Sequence, residues 1–307
     1  MNFNNISFEN EETKSTFLYT NHYNLIILII ATESDEYNLM TDCWKLYMND
    51  YVNVRSFFLY CDPNIDCDIL IGNNSIKYKC EESFTPGILY KTLAGFFVCK
   101  KFFTFDYILR TNLSSFIHIP RLLTFLKNNS KKNYISGRIE LMQMNYDEHY
   151  DIVDEETKQK WIRYADVLNK FHDNHYKNNV EFFFVAGSCM IFSDDMIHEI
   201  ICKVIIDNCL DKANIASLPD DIVLSAILVC PELRQKDFKC IYEYLHVCSK
   251  LEGPSDYDKK IFFIRNRTDQ IFGTRDIDLM NYINQVKHFY NYDFNEILQK
   301  IDCLFTE

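Results

Sequence analysis

Two adjacent carboxylates, Asp220 and Asp221, directly follow Pro219. Proline is tolerated in a first helical turn and acids there complement the helix dipole, so Pro219–Cys230 reads as a helix. Neighbouring side chains at such a start face different directions. One carboxylate can serve the helix terminus while the other faces a cleft and takes a proton from an attacking hydroxyl. The plain alternative is a helix start and nothing more. A second polar cluster, Asn112-Leu113-Ser114-Ser115, offers neutral oxygens that can bond ribose or phosphate but are poor sole ligands for a hard dication. Arg110, just before it, could meet a phosphate or pair with an acidic neighbour. Arg265-Asn266-Arg267 could close over an anion or form a surface patch, and Gly187 could admit a close approach or form a bend. Asp194-Asp195 reads as helix capping, and Asp62, Asp66 and Asp68 as a solvated loop without calcium-loop spacing. The eight histidines contain no His-x-x-x-His pair, and no Gly-rich phosphate loop or Gly-x-Ser-x-Gly elbow occurs, so a zinc hydrolase is unsupported.

These residues need elements to hold them. Asn24–Ala31 is an unbroken apolar run, read as a buried strand ending in the polar turn Thr32-Glu33-Ser34. Asp35–Asn49 has helical spacing, and Asn53–Tyr60 and Asp68–Gly72 read as strands. Thr85–Lys101 is a helix with Pro86 in its first turn, and Phe105–Thr111 is a strand that delivers Asn112–Ser115, before a helix near Pro120–Lys127. Tyr134–Glu140 is a further strand, and Glu155–Phe171 a helix within the polar stretch 145–179. Val180–Val185 and Cys189–Phe192 are strands around Ala186-Gly187-Ser188, and Asp194–Asn208 a helix capped by Ser193. Phe262–Arg265 and Asp276–Phe289 are a late strand and helix, and residues 1–22 read as a partly ordered leader before one domain over 23–307. Alternating strands and helices predict a mostly parallel sheet flanked by helices, with ligands at the carboxyl ends of its strands.

The chain has 307 residues, 48% of them hydrophobic, enough for a substantial core. A net charge of −12 argues against a general nucleic-acid binder, though one local basic cleft would suffice for a phosphate-bearing ligand. The 12 cysteines form no Cys-x-x-Cys pair or zinc-type array and read as buried reduced thiols of a cytoplasmic protein. The apolar run from Leu25 is far shorter than the about 20 residues a bilayer span needs, and the first residues carry no secretory pattern. On that reading the Asn-x-Ser/Thr matches at Asn5, Asn73, Asn128 and Asn266 are chance products.

The segment Phe105–Pro120 resembles the core of the fringe and β-1,3-galactosyltransferase group: an apolar strand, a basic residue, Thr, a triplet that is acidic in the family, and then a helix. Leu89-Tyr90-Lys91-Thr92 is similar to the family's helix ending in Lys-Thr. Val185–Ser193 resembles its Ala/Ser-Gly strand, and Leu218–Leu224 its Pro-Asp-Asp motif. The four occur in the family's order across roughly residues 24–230, and the Asn-, Ile-, Lys- and Tyr-rich chain also resembles glycosyltransferase-like proteins of large DNA viruses. The resemblance implies a GT-A fold and transfer of a sugar from a nucleotide sugar, a UDP-sugar above all, to a glycan or protein hydroxyl. It implies inversion, with Asp221 as general base and Asp220 as its structural or acceptor-binding partner. Thr32, Glu33, Lys91, Arg110, Asn112, Ser114, Gly187, Ser188 and Arg265 are then the expected donor contacts, and the acceptor loops fall within 140–180 and 230–260. Because Asn112, Leu113 and Ser114 replace the acids, three arrangements stay open: a metal-free enzyme using Lys or Arg on the diphosphate, weak Mn²⁺ or Mg²⁺ binding with Asn112 and Ser114 as poor ligands, or an inactive nucleotide- or glycan-binding relative.

Overall fold

Burial on both sides explains the unbroken apolar run of the second strand. Leu25, Ile27 and Ile29 pack into one hydrophobic cluster and Ile26 and Leu28 into another, all fully buried. The computed structural model describes residues 3–18, 22–145, 155–174, 179–228, 237–248, 250–253, 259–267, 275–290 and 292. In chain order these form β1 (Ile6–Phe8), α1 (Glu11–Leu18), β2 (His22–Ile30), α2 (Asp35–Tyr47), β3 (Val54–Cys61), β4 (Ile69–Ile71), β5 (Ser75–Tyr78), α3 (Gly87–Phe102), β6 (Thr104–Asn112) and β7 (Ser115–Ile117). There follow α4 (Ile119–Lys127), β8 (Tyr134–Asn145), α5 (Glu155–Phe171), β9 (Asn179–Ser193), α6 (Asp194–Ile205), α7 (Asp220–Leu228), β10 (Asp237–Cys240), β11 (Leu245–Cys248), β12 (Phe263–Asn266) and α8 (Asp276–Tyr290).

Among the described residues nine strands form one sheet in the order β1-β4-β5-β3-β2-β6-β9-β8-β10, and β11-β12-β7 form a small second sheet. The pairings β5-β3-β2-β6 are parallel, while β9 runs antiparallel to both β6 and β8. From β2 the chain crosses through α2 to β3 on one side, and later returns through α3 to β6 on the other. The strand order therefore reverses between β2 and β6, and a crevice opens at the carboxyl ends of such strands. One face of the large sheet packs α1, α3, α5, α6 and α7; the other packs α2, α4, α8 and the small sheet. This is an α/β fold with a mostly parallel central sheet flanked by helices. No helix among the described residues is long and apolar enough to cross a membrane.

Several sequence expectations change. The leader contributes an edge strand and a helix: β1 pairs parallel with β4, and Phe17 is buried. Asp68, expected to be solvated, accepts the Asn5 N–H at 2.9 Å and pins that edge. The expected break at Ala186-Gly187-Ser188 lies inside one strand. The β8–β9 register jumps from Gly137↔Met190 to Ile139↔Val185, so Ala186–Cys189 bulges opposite Arg138. Ser193 stands at the α6 N-cap, but its side chain makes no capping bond and instead accepts the Tyr134 N–H. Asp194 pairs with Lys100 and Asp195 accepts the Asn133 N–H, so both acids tie α6 to its neighbours. Residues 229 and 230 of the expected Pro219–Cys230 helix lie outside the described residues, as do 146–154, 175–178, 231–236, 249 and 254–258 of the expected acceptor loops.

The bulge depends on Gly137, where a Cβ would stand 2.3 Å from the Cys189 carbonyl oxygen. Backbone cannot yield as a flexible side chain does. Gly137→Ala is expected to destabilise the protein by about 1–3 kcal/mol, read as a lower urea midpoint. An unchanged midpoint would contradict this packing.

Candidate functional site

The crevice lies where β2 and β6 end together. Ile30 and Asn112 are register partners and both line it. The last β6–β9 pairing is Thr111↔Cys189, after which the β9 bulge leaves β6 and opens a cleft of about 660 Å³. Of the residues expected to bind a donor, Thr32, Lys91, Arg110, Asn112, Ser114, Gly187, Ser188 and Arg265 all line this cleft, together with Asp220 and Asp221. Glu33 does not: it is exposed and outside the lining, because Ser34 turns the chain into α2 by accepting the Tyr37 N–H.

A buried ion pair forms the floor. Arg110 Nη2 donates to Asp220 Oδ2 at 2.6 Å, and the two side chains are only 3% and 8% exposed. Arg110 crosses from β6 to the start of α7 over Gly187, where a Cβ would stand 2.8 Å from its Nη1. The glycine thus serves both as a bulge and as passage for a guanidinium. Arg110 Nη1 also donates to Asn112 Oδ1 at 3.2 Å, so the acid-pairing role expected of Arg110 is realised within the cleft. Burial pushes Asp220 up to about 6; Arg110 pulls it down and Asp221 adds repulsion. Asp221 is half-buried, with Oδ2 accepting the Gly187 N–H and Oδ1 its successor's amide, each at 2.9 Å. Those bonds lock the carboxylate against the bulge.

The opposite wall is basic. Arg265 of β12 lies across from Ser115 of β7 and donates to its hydroxyl at 3.1 Å. It makes no ion pair among the described residues. Burial, with Arg267, Arg275 and Arg110 nearby, pushes it down to about 9. Guanidiniums stay protonated, so Arg265 is held as a buried cation, first short of water and then crowded by like charges, and an entering anion would relieve both. Arg275 lies over the Tyr37 ring, donates to its hydroxyl at 2.8 Å and pairs with Asp278. Lys91 is buried rather than solvated: Nζ donates to the Ala31 carbonyl at 2.7 Å and pairs with Glu82. Among the described residues six basic and three acidic side chains line the cleft, in a chain whose net charge is −12.

The triplet residues do not fit a bound dication. Asn112 Oδ1 is engaged by Arg110, Leu113 is buried with its carbonyl accepting the Trp44 indole N–H at 3.0 Å, and Ser114 is buried with its carbonyl accepting the Asn266 N–H. None of the three side chains brings a carboxylate, and the one beside Asn112 Oδ1 is a guanidinium. Arg275, Tyr37, Glu82 and Arg138 line the cleft without having been expected there. For Arg275 a signal existed: a cation at a helix start opposes the dipole and asks for another reason. No protein-family model matches this chain, and no curated protein matches it at a significant level.

Removing Arg110 leaves a buried acid alone. Its pKa then rises further, so folding holds a proton on Asp220 and loses stability as pH climbs through that value. Arg110→Met is expected to cost about 3–5 kcal/mol at pH 8 and clearly less at pH 5, with Arg110→Met/Asp220→Leu recovering most of it. Equal losses at both pH values in denaturant titrations would contradict this.

Proposed function

We propose that this chain is a glycosyltransferase of GT-A type that moves a sugar from a nucleotide diphosphate sugar, a UDP-sugar by resemblance, to a hydroxyl of a glycan or protein. The observation that carries the reading is the convergence of Arg110, Arg265, Arg267 and Arg275 on a strand-end cleft that also holds the Asp221 carboxylate. A diphosphate is the ligand such a wall suits: guanidinium forks pair with phosphate oxygens, and their mutual repulsion falls when an anion enters. They take over the charge neutralisation usually supplied by a metal.

On this reading Asp221 accepts the proton of the acceptor hydroxyl as its oxygen bonds to the anomeric carbon. The bond from that carbon to the diphosphate breaks on the opposite side, and the leaving oxygen's charge grows against the arginines, whose positions are fixed beforehand. Asp220 holds Arg110 in place, the structural of its two expected roles. Thr32, Ser188 and Ser114 supply neutral polar groups around the donor.

Hydrolysis or transfer of UDP-sugars, followed by UDP release across an acceptor panel, tests this. Wild type is expected to turn over in EDTA, and Asp221→Asn to lose at least about 100-fold in kcat while still binding UDP. Activity retained by Asp221→Asn would remove the base assignment, activity abolished by EDTA and restored by Mn²⁺ or Mg²⁺ but not by zinc would remove the metal-free assignment, and UDP binding without any turnover would favour a non-catalytic binder.

A further inference from the structure

The small sheet has a second face. Leu245 and Val247 of β11 line the cleft, and strand alternation sends His246 and Cys248 to the opposite side. There they meet Glu252. His246 Nε2 lies 2.7 Å from Glu252 Oε2, and the histidine nitrogen, cysteine sulfur and carboxylate oxygen all lie within 4.8 Å of one another. Cys248 is fully buried and Glu252 is 7% exposed.

We propose that His246, Cys248 and Glu252 form a zinc site that braces the back of the cleft wall. Nitrogen, sulfur and oxygen together are a borderline donor set. Calcium and magnesium want oxygen alone, whereas zinc takes all three. In a tetrahedral zinc site these donors stand about 3.4–3.6 Å apart. One separation in the trio is 2.7 Å and none exceeds 4.8 Å, so tip movements of about 1 Å bring the three donors to that spacing. His246, with its side chain 33% exposed, marks the side from which an ion and a water can enter.

The surroundings point the same way. Asp278, Asn281 and Gln285 lie on one face of α8 and are all fully buried, an expensive stripe on a core helix unless each group is bonded. Asn281 accepts the Glu252 N–H and donates to the Lys250 carbonyl, each at 2.9 Å, which clamps the Glu252 segment. Gln285 Nε2 stands 3.6 Å from Cys248 Sγ and donates to Asn266 Oδ1 at 2.8 Å. An amide N–H aimed at the sulfur and another group fixing the carboxylate's backbone are the supports metal ligands receive. Asp278 holds Arg275, so the helix that steadies the trio also sets one arginine of the cleft. The inference is independent of sugar transfer, since a metal riding on a donor diphosphate would have oxygen ligands and no thiolate.

The test is zinc analysis and cobalt(II) titration of the full chain, purified reduced and without chelator. Wild type is expected to carry about one zinc and to give a thiolate-to-cobalt charge-transfer band in the near ultraviolet. Cys248→Ser is expected to abolish the band. Gln285→Leu, which keeps all three ligands, is expected to weaken zinc binding by about 10- to 100-fold. Circular dichroism confirms that each variant folds, and if Cys248→Ser does not, Glu252→Gln is read in its place, with at least tenfold weaker zinc binding expected. Folded wild type that takes up no zinc and shows no thiolate band overturns the proposal, as does a band that survives in Cys248→Ser or zinc affinity unchanged in Glu252→Gln.

Discussion

The arrangement of the cleft rests on one buried ion pair, Arg110 with Asp220. Two charges taken out of water gain little net stability, because desolvation offsets most of their attraction. What the pair supplies is position. It ties the end of β6 to the start of α7 across the β9 bulge, and it can form only because Gly187 has no side chain in the guanidinium's path. With α7 held there, the next residue, Asp221, meets the Gly187 N–H. The two adjacent acids thus divide the labour: one is consumed by structure, and the other is presented to the cleft.

The facing wall is built by different means. Trp44 of α2 fixes the Leu113 carbonyl, and the hydroxyls of Tyr47 and Tyr282 meet at 2.8 Å inside the contact of α2 with α8. Between them these contacts set the Asn112–Ser115 turn, the small sheet against it, and the helix that follows Arg275. Arginines that would repel one another in isolation are therefore held in a group by an apolar and aromatic frame. In a chain of net negative charge this makes the cleft a local well for anions.

The elements legible in the sequence are those buried on both faces or strongly periodic. β2, α2, β6 and α5 fall within a few residues of expectation because burial dictates their pattern. Less was readable at β1, a short edge strand with one polar member, where pairing rather than composition makes the strand. β9 was split in sequence because a bulge and a break look alike until the partner strand is known. At the site, the Asp pair, Arg110, Gly187 and Arg265 could be picked out by residue type and position. Arg275 could not be assigned to the same cleft, since only the fold brings it beside Arg265. The His246–Cys248–Glu252 trio escaped for a related reason: mixed ligands at irregular spacing match no motif.

The central claim is that a guanidinium cluster, without a metal held in the cleft, receives a nucleotide diphosphate. Calorimetry of UDP against uridine in EDTA tests it most directly. The account predicts that UDP binds at least about tenfold more tightly than uridine, an advantage that shrinks as salt rises. Equal affinities for UDP and uridine, or UDP binding that appears only when Mn²⁺ is added, would contradict it.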